Sequence, residues 1–328
     1  MSNKQPFRWG VIGTGGIANA FKNDLAFLAG HEISAVLSRS MHTAESFSSN
    51  IANCKPFDDP ESFMRSEEID AVYIATPNTL HFEQTIMALQ NGKHVICEKP
   101  FAMNSSEVKS MVDASKSNNV ALLEGMWTRY LPHIDTIRGL LNENLIGDVQ
   151  SVFACHGQDL THSNNPRLWT KELGGGALLD LGIYVVSLAH MVLGRPKNIK
   201  ASAVFTEEGV DAKTSMIFTY ESGAIADLSC SMYDTQPNRA VISGSKGYIE
   251  IAPTFYAPTT ITLNTSDGRS VSYPNDYKGH GLREQAYELA NCVKNNEIES
   301  QKLKHSESIA VMGSMDEIRE QIGLTFNQ

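Results

Sequence analysis

No two cysteines in this sequence stand close enough to form a C-x-x-C pair. The five, Cys54, Cys97, Cys155, Cys230 and Cys292, are scattered through 328 residues. Such spacing argues against a zinc ribbon or a disulfide framework, and leaves reduced thiols in a reducing, cytoplasmic compartment as the expectation. Positive charge is also short: 27 Lys and Arg stand against 37 Asp and Glu, a net charge of −10. An acidic chain repels phosphate backbones, so nucleic acid is not an expected partner. No apolar run approaches the roughly 20 residues needed to span a bilayer. Residues Met1 to Arg8 lack the apolar stretch of a secretory signal. The phosphate loop G-x-x-x-x-G-K-[ST] is missing, and so are internal repeats and low-complexity tracts.

What is present is ordinary globular material, 41% hydrophobic and 20% charged, long enough for two domains. Short apolar runs alternate with helical patterns in the first part. Phe7–Ile12, Glu32–Leu37, Ala71–Ala75, His94–Cys97 and Val120–Leu123 read as strands. Ile17–Leu28, Leu80–Asn91 and Ser105–Asn118 read as helices between them. Near-continuous apolar strands separated by helices predict a doubly wound parallel sheet, the Rossmann arrangement, over residues 1–123. The pattern changes in 124–328. Val149–His156, Ala201–Thr206, Thr214–Tyr220 and Ala224–Ser231 alternate with period two, and Glu221-Ser222-Gly223 and Gly244-Ser245-Lys246-Gly247 mark hairpins. One helix is expected to start beyond Pro132 and end near Asn144, one to run over Ala177–Leu193, and two more near Leu282–Asn295 and Ser306–Gly323. This half predicts an α+β domain with a large, mostly antiparallel open sheet.

The first strand runs into Gly13-Thr14-Gly15-Gly16-Ile17-Ala18, a G-x-G-x-x-A turn. Gly13 permits the tight turn, Gly15 lets backbone approach a pyrophosphate, and Ala18 lets the helix pack close to the sheet. Alone such a turn is weak evidence. Between a strand and a helix it predicts dinucleotide binding at the helix N-terminus. At the end of the second strand stand Ser38-Arg39-Ser40 in place of the acidic residue that accepts the ribose hydroxyls of NAD. Serine donates to a 2′-phosphate and arginine pairs with it, so NADP(H) is favoured over NAD(H). A solvated surface arginine is the competing reading.

The third strand ends in Thr76-Pro77-Asn78, with His81 further on. Asn78 suits a helix cap or a cofactor wall equally. The fourth ends in Glu98-Lys99-Pro100, and strand carboxyl ends face the ligand crevice. A lysine there can orient and acidify a substrate hydroxyl, although a strand-end lysine taken alone is more often a surface charge; a cis Lys99–Pro100 bond is compatible with the sequence. In the second half, Gly174-Gly175-Gly176 precedes Asp180 and Tyr184. These are four apart and share one face of the expected helix. Tyrosine serves as acid/base if a lysine lowers its ordinary pKa near 10. The residues alone equally allow a hydrogen-bonded buried tyrosine and an aspartate capping the glycine turn. His156, Asp159 and His162 are spaced by three, but lie where a strand becomes a loop; no metal site is expected, and His162 is assigned to a substrate loop.

These motifs, in this order, resemble the glucose–fructose oxidoreductase, inositol dehydrogenase and MocA family. They are Gly13–Ala18, Ala75-Thr76-Pro77-Asn78-Thr79-Leu80-His81, Glu98-Lys99-Pro100, Gly174–Gly176 with Asp180, and Gly244–Gly247. Glu124–Tyr130 and Gly176–Tyr184 look most like the dimeric dihydrodiol dehydrogenases and NADP-linked D-xylose dehydrogenases of that family. The resemblance implies that Lys99 and Tyr184 carry the proton, with Asp180 in support. It implies cofactor contacts from Gly13, Thr14, Gly15, Gly16, Ile17, Ser38, Arg39, Thr76, Pro77, Asn78, His81, Glu98 and Lys99. Trp127, Arg129, His162 and Tyr184 are expected at the substrate. Many family members carry histidine where this chain has Tyr184, which argues against inositol. The expected activity is hydride transfer between a nicotinamide and a CH–OH carbon of a small molecule: a sugar, polyol, dihydrodiol or dicarbonyl. A homodimer through the C-terminal sheet is implied. The alternatives are a non-catalytic NADP-binding regulator and an oxidoreductase that retains its cofactor.

Overall fold

A computed structural model describes residues 5–326. Met1–Lys4, half of the polar N-terminal stretch, and Asn327–Gln328 lie outside the described residues.

Six strands form the first sheet: β1 (Phe7–Ile12), β2 (His31–Leu37), β3 (Lys55–Phe57), β4 (Ala71–Ile74), β5 (His94–Glu98) and β6 (Leu122–Gly125). Their order is β3-β2-β1-β4-β5-β6 and all neighbours are parallel. Helices α1 (Gly16–Leu25), α2 (Met41–Ser48), α3 (Pro60–Met64), α4 (His81–Gln90) and α5 (Ser105–Asn118) connect them. β4 and β5 are buried along almost their whole length, as strands covered on both faces must be. Strand order reverses between β1 and β4, so the crevice for a ligand opens at their carboxyl ends, beyond Ile12 and Ile74.

The second sheet has eight strands: β7 (Val149–Gly157), β8 (Asn198–Phe205), β9 (Asp211–Thr219), β10 (Ile225–Ser231), β11 (Ala240–Gly244), β12 (Gly247–Ile251), β13 (Ile261–Thr265) and β14 (Ser270–Tyr273). The order is β14-β13-β12-β11-β7-β10-β9-β8. Only the β7–β10 pair is parallel. The remaining helices are α6 (Pro132–Asn142), α7 (Pro166–Trp169), α8 (Ile183–Leu193), α9 (Leu282–Lys294) and α10 (His305–Ile322). Helix α8 packs on β7 and β10. On the other face Phe153, Ile217, Ile225 and Tyr248 alternate with buried neighbours and stay exposed.

The described chain divides into two compact units. One takes the residues up to Trp127 together with Gly279–Ser308; the other takes Thr128–Lys278 and the chain from Ile309. A continuous division at 123/124 therefore does not describe the contacts, because the late segment returns to the first unit. Leu122 N–H donates to Ile298 O at 3.0 Å, covering the free edge of β6. His305 Nε2 lies 2.7 Å from Leu122 O, and Ser308 Oγ donates to Glu124 Oε2 at 2.6 Å.

Two further expectations change. Ala177–Leu193 is not one α-helix: Leu178–Gly182 form a π turn before α8 begins, with Ile183 N–H reaching Leu178 O. The apolar pattern is unbroken there, and hydrophobic periodicity does not register one residue inserted in a turn. The segment Lys171–Leu193 is also long enough to cross a membrane and holds an 18-residue window of mean hydropathy 1.8, contrary to the reading that no run approaches this. Yet 78% of that window is buried inside the protein, as a core helix is.

Candidate active site

At the end of β1, Gly13 turns the chain with φ +97. A Cβ there would lie 2.7 Å from Ala75 O, so glycine is required by both strain and space. Gly15 is the N-cap of α1 and brings no side-chain cap to the helix. A Cβ on Gly15 or Gly16 would meet nothing within 4 Å. Asn19, unnoticed in the sequence, holds the turn by donating to Thr14 O at 3.2 Å and Gly15 O at 3.0 Å. Ala18 is fully buried. An uncapped helix N-terminus facing open space past two glycines fits the pyrophosphate of a dinucleotide.

Beyond β2, Ser38 is half-buried while Arg39 and Ser40 are exposed. Ser40 caps α2. Thr43 joins the group: its Oγ1 is 2.6 Å from Ser38 Oγ and 3.0 Å from Ser40 Oγ. Three hydroxyls and a guanidinium thus follow β2, with no carboxylate among residues 38–43.

The ends of β4 and β5 are tied by one buried ring. His81 Nδ1 lies 2.8 Å from Pro100 O and its Nε2 3.0 Å from Thr76 O. Thr76 Oγ1 donates to Gln84 Oε1 at 2.6 Å. Asn78 follows Pro77 as the first residue, itself buried, of a 3-10 turn; α4 has Leu80 at its N-cap and no side-chain cap, so of the two roles open to Asn78 the capping one is not used. Glu98 is 4% exposed and accepts from Tyr73 OH and the Lys99 N–H. Burial pushes its carboxyl up from the usual range, against the Tyr73 bond and the Lys99 charge. Its side chain thus links the Lys99 backbone to Tyr73 of β4. The Lys99–Pro100 peptide is cis.

Trp127 is 4% exposed, and its ring lies 4.7 Å from that of His280. Buried Asp24 of α1 sets this contact by accepting the N–H groups of His280, Gly281 and Arg283 at 2.8, 2.9 and 2.8 Å. His280 is the neighbour that sequence reasoning missed, since its approach depends on the returning segment.

In the second unit the glycine run has a steric cause. A Cβ on Gly176 would lie 2.3 Å from Asp211 Oδ1, and one on Gly175 2.7 Å from Leu168 O. Asp211 of β9 caps the turn, accepting Leu178 N–H at 2.8 Å and Thr214 Oγ1 at 2.7 Å. Burial raises its carboxyl to about 7. Asp180 is therefore not the cap; it pairs with Arg167 at 3.1 Å. Tyr184 lies in the first turn of α8, 7% exposed, with the rings of His156 and Tyr256 at 5.2 and 5.1 Å. Arg129 is 3% exposed, and its Nη1 lies 3.3 Å from Ser187 Oγ, anchored on α8. His162 is exposed in the loop after β7, and Asp159 there accepts from Thr161. Among the described residues no group of three His, Cys, Asp or Glu is arranged to hold a metal.

Residues 7–126 match the model of an oxidoreductase family with an NAD-binding Rossmann fold, and 134–250 match the Gfo/Idh/MocA C-terminal domain. Trans-1,2-dihydrobenzene-1,2-diol dehydrogenase of Xenopus tropicalis is 34% identical over 97% of this chain and 99% of its own length. The chain belongs to the Gfo/Idh/MocA oxidoreductase family. A second relative, the scyllo-inositol 2-dehydrogenase (NADP(+)) of Bacillus subtilis, is 33% identical over 97% of this chain and 98% of its own. The family fold recurs in the aldose–aldose oxidoreductase of Caulobacter crescentus, with TM-score 0.86, 22% identity and coverage of 96% and 97%. It recurs too in a 3-ketoreductase of Actinomadura kijaniata in complex with NADP, with TM-score 0.84, 23% identity and coverage of 97% and 98%. As a family member the chain is an oxidoreductase with an NAD(P)-binding Rossmann domain.

Proposed function

We propose that this protein is an NADP-dependent dehydrogenase acting on a CH–OH carbon of a sugar, polyol or dihydrodiol, or on the carbonyl in reverse. The observation that carries the reading is Tyr184. It is a buried phenol at the start of α8, enclosed by aromatic rings and one turn beyond the Asp180–Arg167 pair.

A bound nicotinamide supplies the two-electron chemistry. Tyr184 Oη takes the proton of the substrate hydroxyl in oxidation and returns it in reduction. A phenol ordinarily near pKa 10 needs a positive charge to do this near neutrality. That charge is assigned to Lys99, which follows Glu98 at the ligand end of β5; the assignment follows the family resemblance. Asp180 positions the turn that precedes Tyr184, and Trp127 with His280 offers an aromatic wall for the substrate. Arg129 supports α8, and His162 belongs to the loop that meets the substrate.

Ser38 and Arg39 favour NADP over NAD, since a 2′-phosphate gains charge-assisted bonds where an acidic residue would repel it. Two names agree, the NADP(+)-linked inositol dehydrogenase and the ketoreductase bound to NADP. The exposed face of the second sheet, with Phe153, Ile217, Ile225 and Tyr248, suits a homodimer. Five free cysteines suit a cytoplasmic protein.

The test is a panel of trans-1,2-dihydrobenzene-1,2-diol, scyllo-inositol, D-xylose and D-glucose with NADP+ and NAD+, followed by nicotinamide absorbance. Turnover of a diol or sugar with NADP+ is expected. Silence across the panel would favour a non-catalytic NADP-binding regulator, and a nicotinamide band that survives dialysis would favour a retained cofactor.

A further inference from the structure

Beside Tyr184 stands a second buried ring, His156, at the end of β7 and 1% exposed. Its Nδ1 lies 3.2 Å from Leu181 O, and its Nε2 lies 3.0 Å from Gln158 Nε2. A carbonyl only accepts, so Nδ1 carries the hydrogen. An amide nitrogen only donates, so Nε2 offers its lone pair. The hydrogen-bond network thereby assigns one neutral tautomer. The same Gln158 nitrogen is 3.2 Å from Tyr256 OH. Tyr256 stacks on the imidazole with centroids 3.9 Å apart and planes 26° apart. The imidazole edge meets Tyr184 at 5.2 Å and 68°.

Leu181 belongs to the π turn Leu178–Gly182, between Asp180 and Tyr184. A turn of this kind departs from the regular ladder of the helix. The Ile183 N–H reaches the Leu181 carbonyl from within the turn, and the imidazole adds a donor from β7.

We infer that His156 is a positioning residue for Tyr184. Its Nδ1–H holds the Leu181 carbonyl and so the register from which α8 presents the phenol. Gln158 locks the tautomer that makes this donation possible, and Tyr256 fixes the plane of the ring. The inference rests on Tyr184 being the acid/base.

The experiment compares the full chain with four variants, using NADP+ and the panel member of highest kcat/KM. His156→Phe keeps a ring and loses the donor; kcat should fall at least tenfold while KM and cofactor Kd stay within about threefold. His156→Asn puts an amide N–H near the place of Nδ1 and should restore kcat to within about threefold of wild type. Gln158→Met frees the tautomer without touching the Leu181 contact and should lower kcat severalfold; it carries the test if His156→Phe does not fold. Tyr184→Phe should be inactive. Wild-type kcat in His156→Phe, or in Gln158→Met, with an inactive Tyr184→Phe overturns the positioning role alone. Asparagine failing to recover kcat in a folded variant also overturns it. An active Tyr184→Phe, or a wild type that turns over no panel member, defeats the reading beneath it.

Discussion

Asp211 Oδ2 accepts the backbone N–H of Leu178 at 2.8 Å, joining a strand of the second sheet to the first residue of the π turn. Burial is the leading influence on this carboxyl and raises it to about 7 from an ordinary 3.8, although its bonds to Thr214 and Leu178 pull the other way. The folded pKa therefore exceeds the unfolded one. The stabilisation that follows is complete below about pH 4 and is lost as pH rises through 7. Its full size is on the order of 4 kcal/mol by linkage. The thermal midpoint of wild type should fall between pH 5 and pH 8, and Asp211→Asn should flatten that fall. Equal pH slopes in the two proteins would contradict the account.

The glycines of the first turn separate into a structural and a ligand role. Gly13→Ala meets Ala75 O at positive φ and should cost about 1–3 kcal/mol in unfolding free energy. Gly15→Val enters open space at an extended φ of −74, so its thermal midpoint should stay near wild type. Its NADP affinity, measured by calorimetry, should drop at least tenfold because the side chain fills the approach of the pyrophosphate. Undiminished affinity in Gly15→Val would remove this turn as the cofactor cradle.

Much of this was legible from residues alone. The parallel sheet follows from strands apolar at nearly every position, such as Ala71–Ile74, which only a doubly covered sheet can bury. Short strands such as β3, β13 and β14 have no expected counterpart, because three to five residues carry too little alternation to register. In the site, Gly13, Gly15, Lys99 and Tyr184 stand in motifs with a stated chemistry. Gln158, Tyr256 and His280 do not, and the spacing of His156 with Asp159 and His162 points to a different chemistry. Their roles come from strand pairing and from a segment that returns to the first unit, and no local spacing encodes either. Gly176 stands in the sequence as the last of three glycines, whereas its cause is Asp211, 35 residues away in the chain.

Arg39 is exposed after β2, and the proposed preference for NADP over NAD rests on its charge. Arg39→Ala removes a charge-assisted contact of about 1.5–3 kcal/mol. The ratio of NAD to NADP dissociation constants should narrow by roughly 10- to 100-fold, with most of the change in NADP. Equal affinities for both cofactors in wild type would sink the preference.

Phe153 and Ile217 flank Asp227 on neighbouring strands of the exposed sheet face. A lysine at either position faces a carboxylate directly across the ladder, so the subunit should stay folded. Phe153→Lys and Ile217→Lys together should convert a dimer to a monomer in analytical ultracentrifugation without loss of helix signal. A wild type that sediments as a monomer would remove the sheet face as an interface.

The most direct test of the central claim is Tyr184→Phe. The substitution removes one oxygen and keeps the ring that packs against His156 and Tyr256. Turnover of the best substrate with NADP+ should fall by at least about 100-fold, the scale of acid/base catalysis, while NADP affinity stays at the wild-type value. Turnover within a few-fold of wild type would contradict the assignment of the proton to this residue.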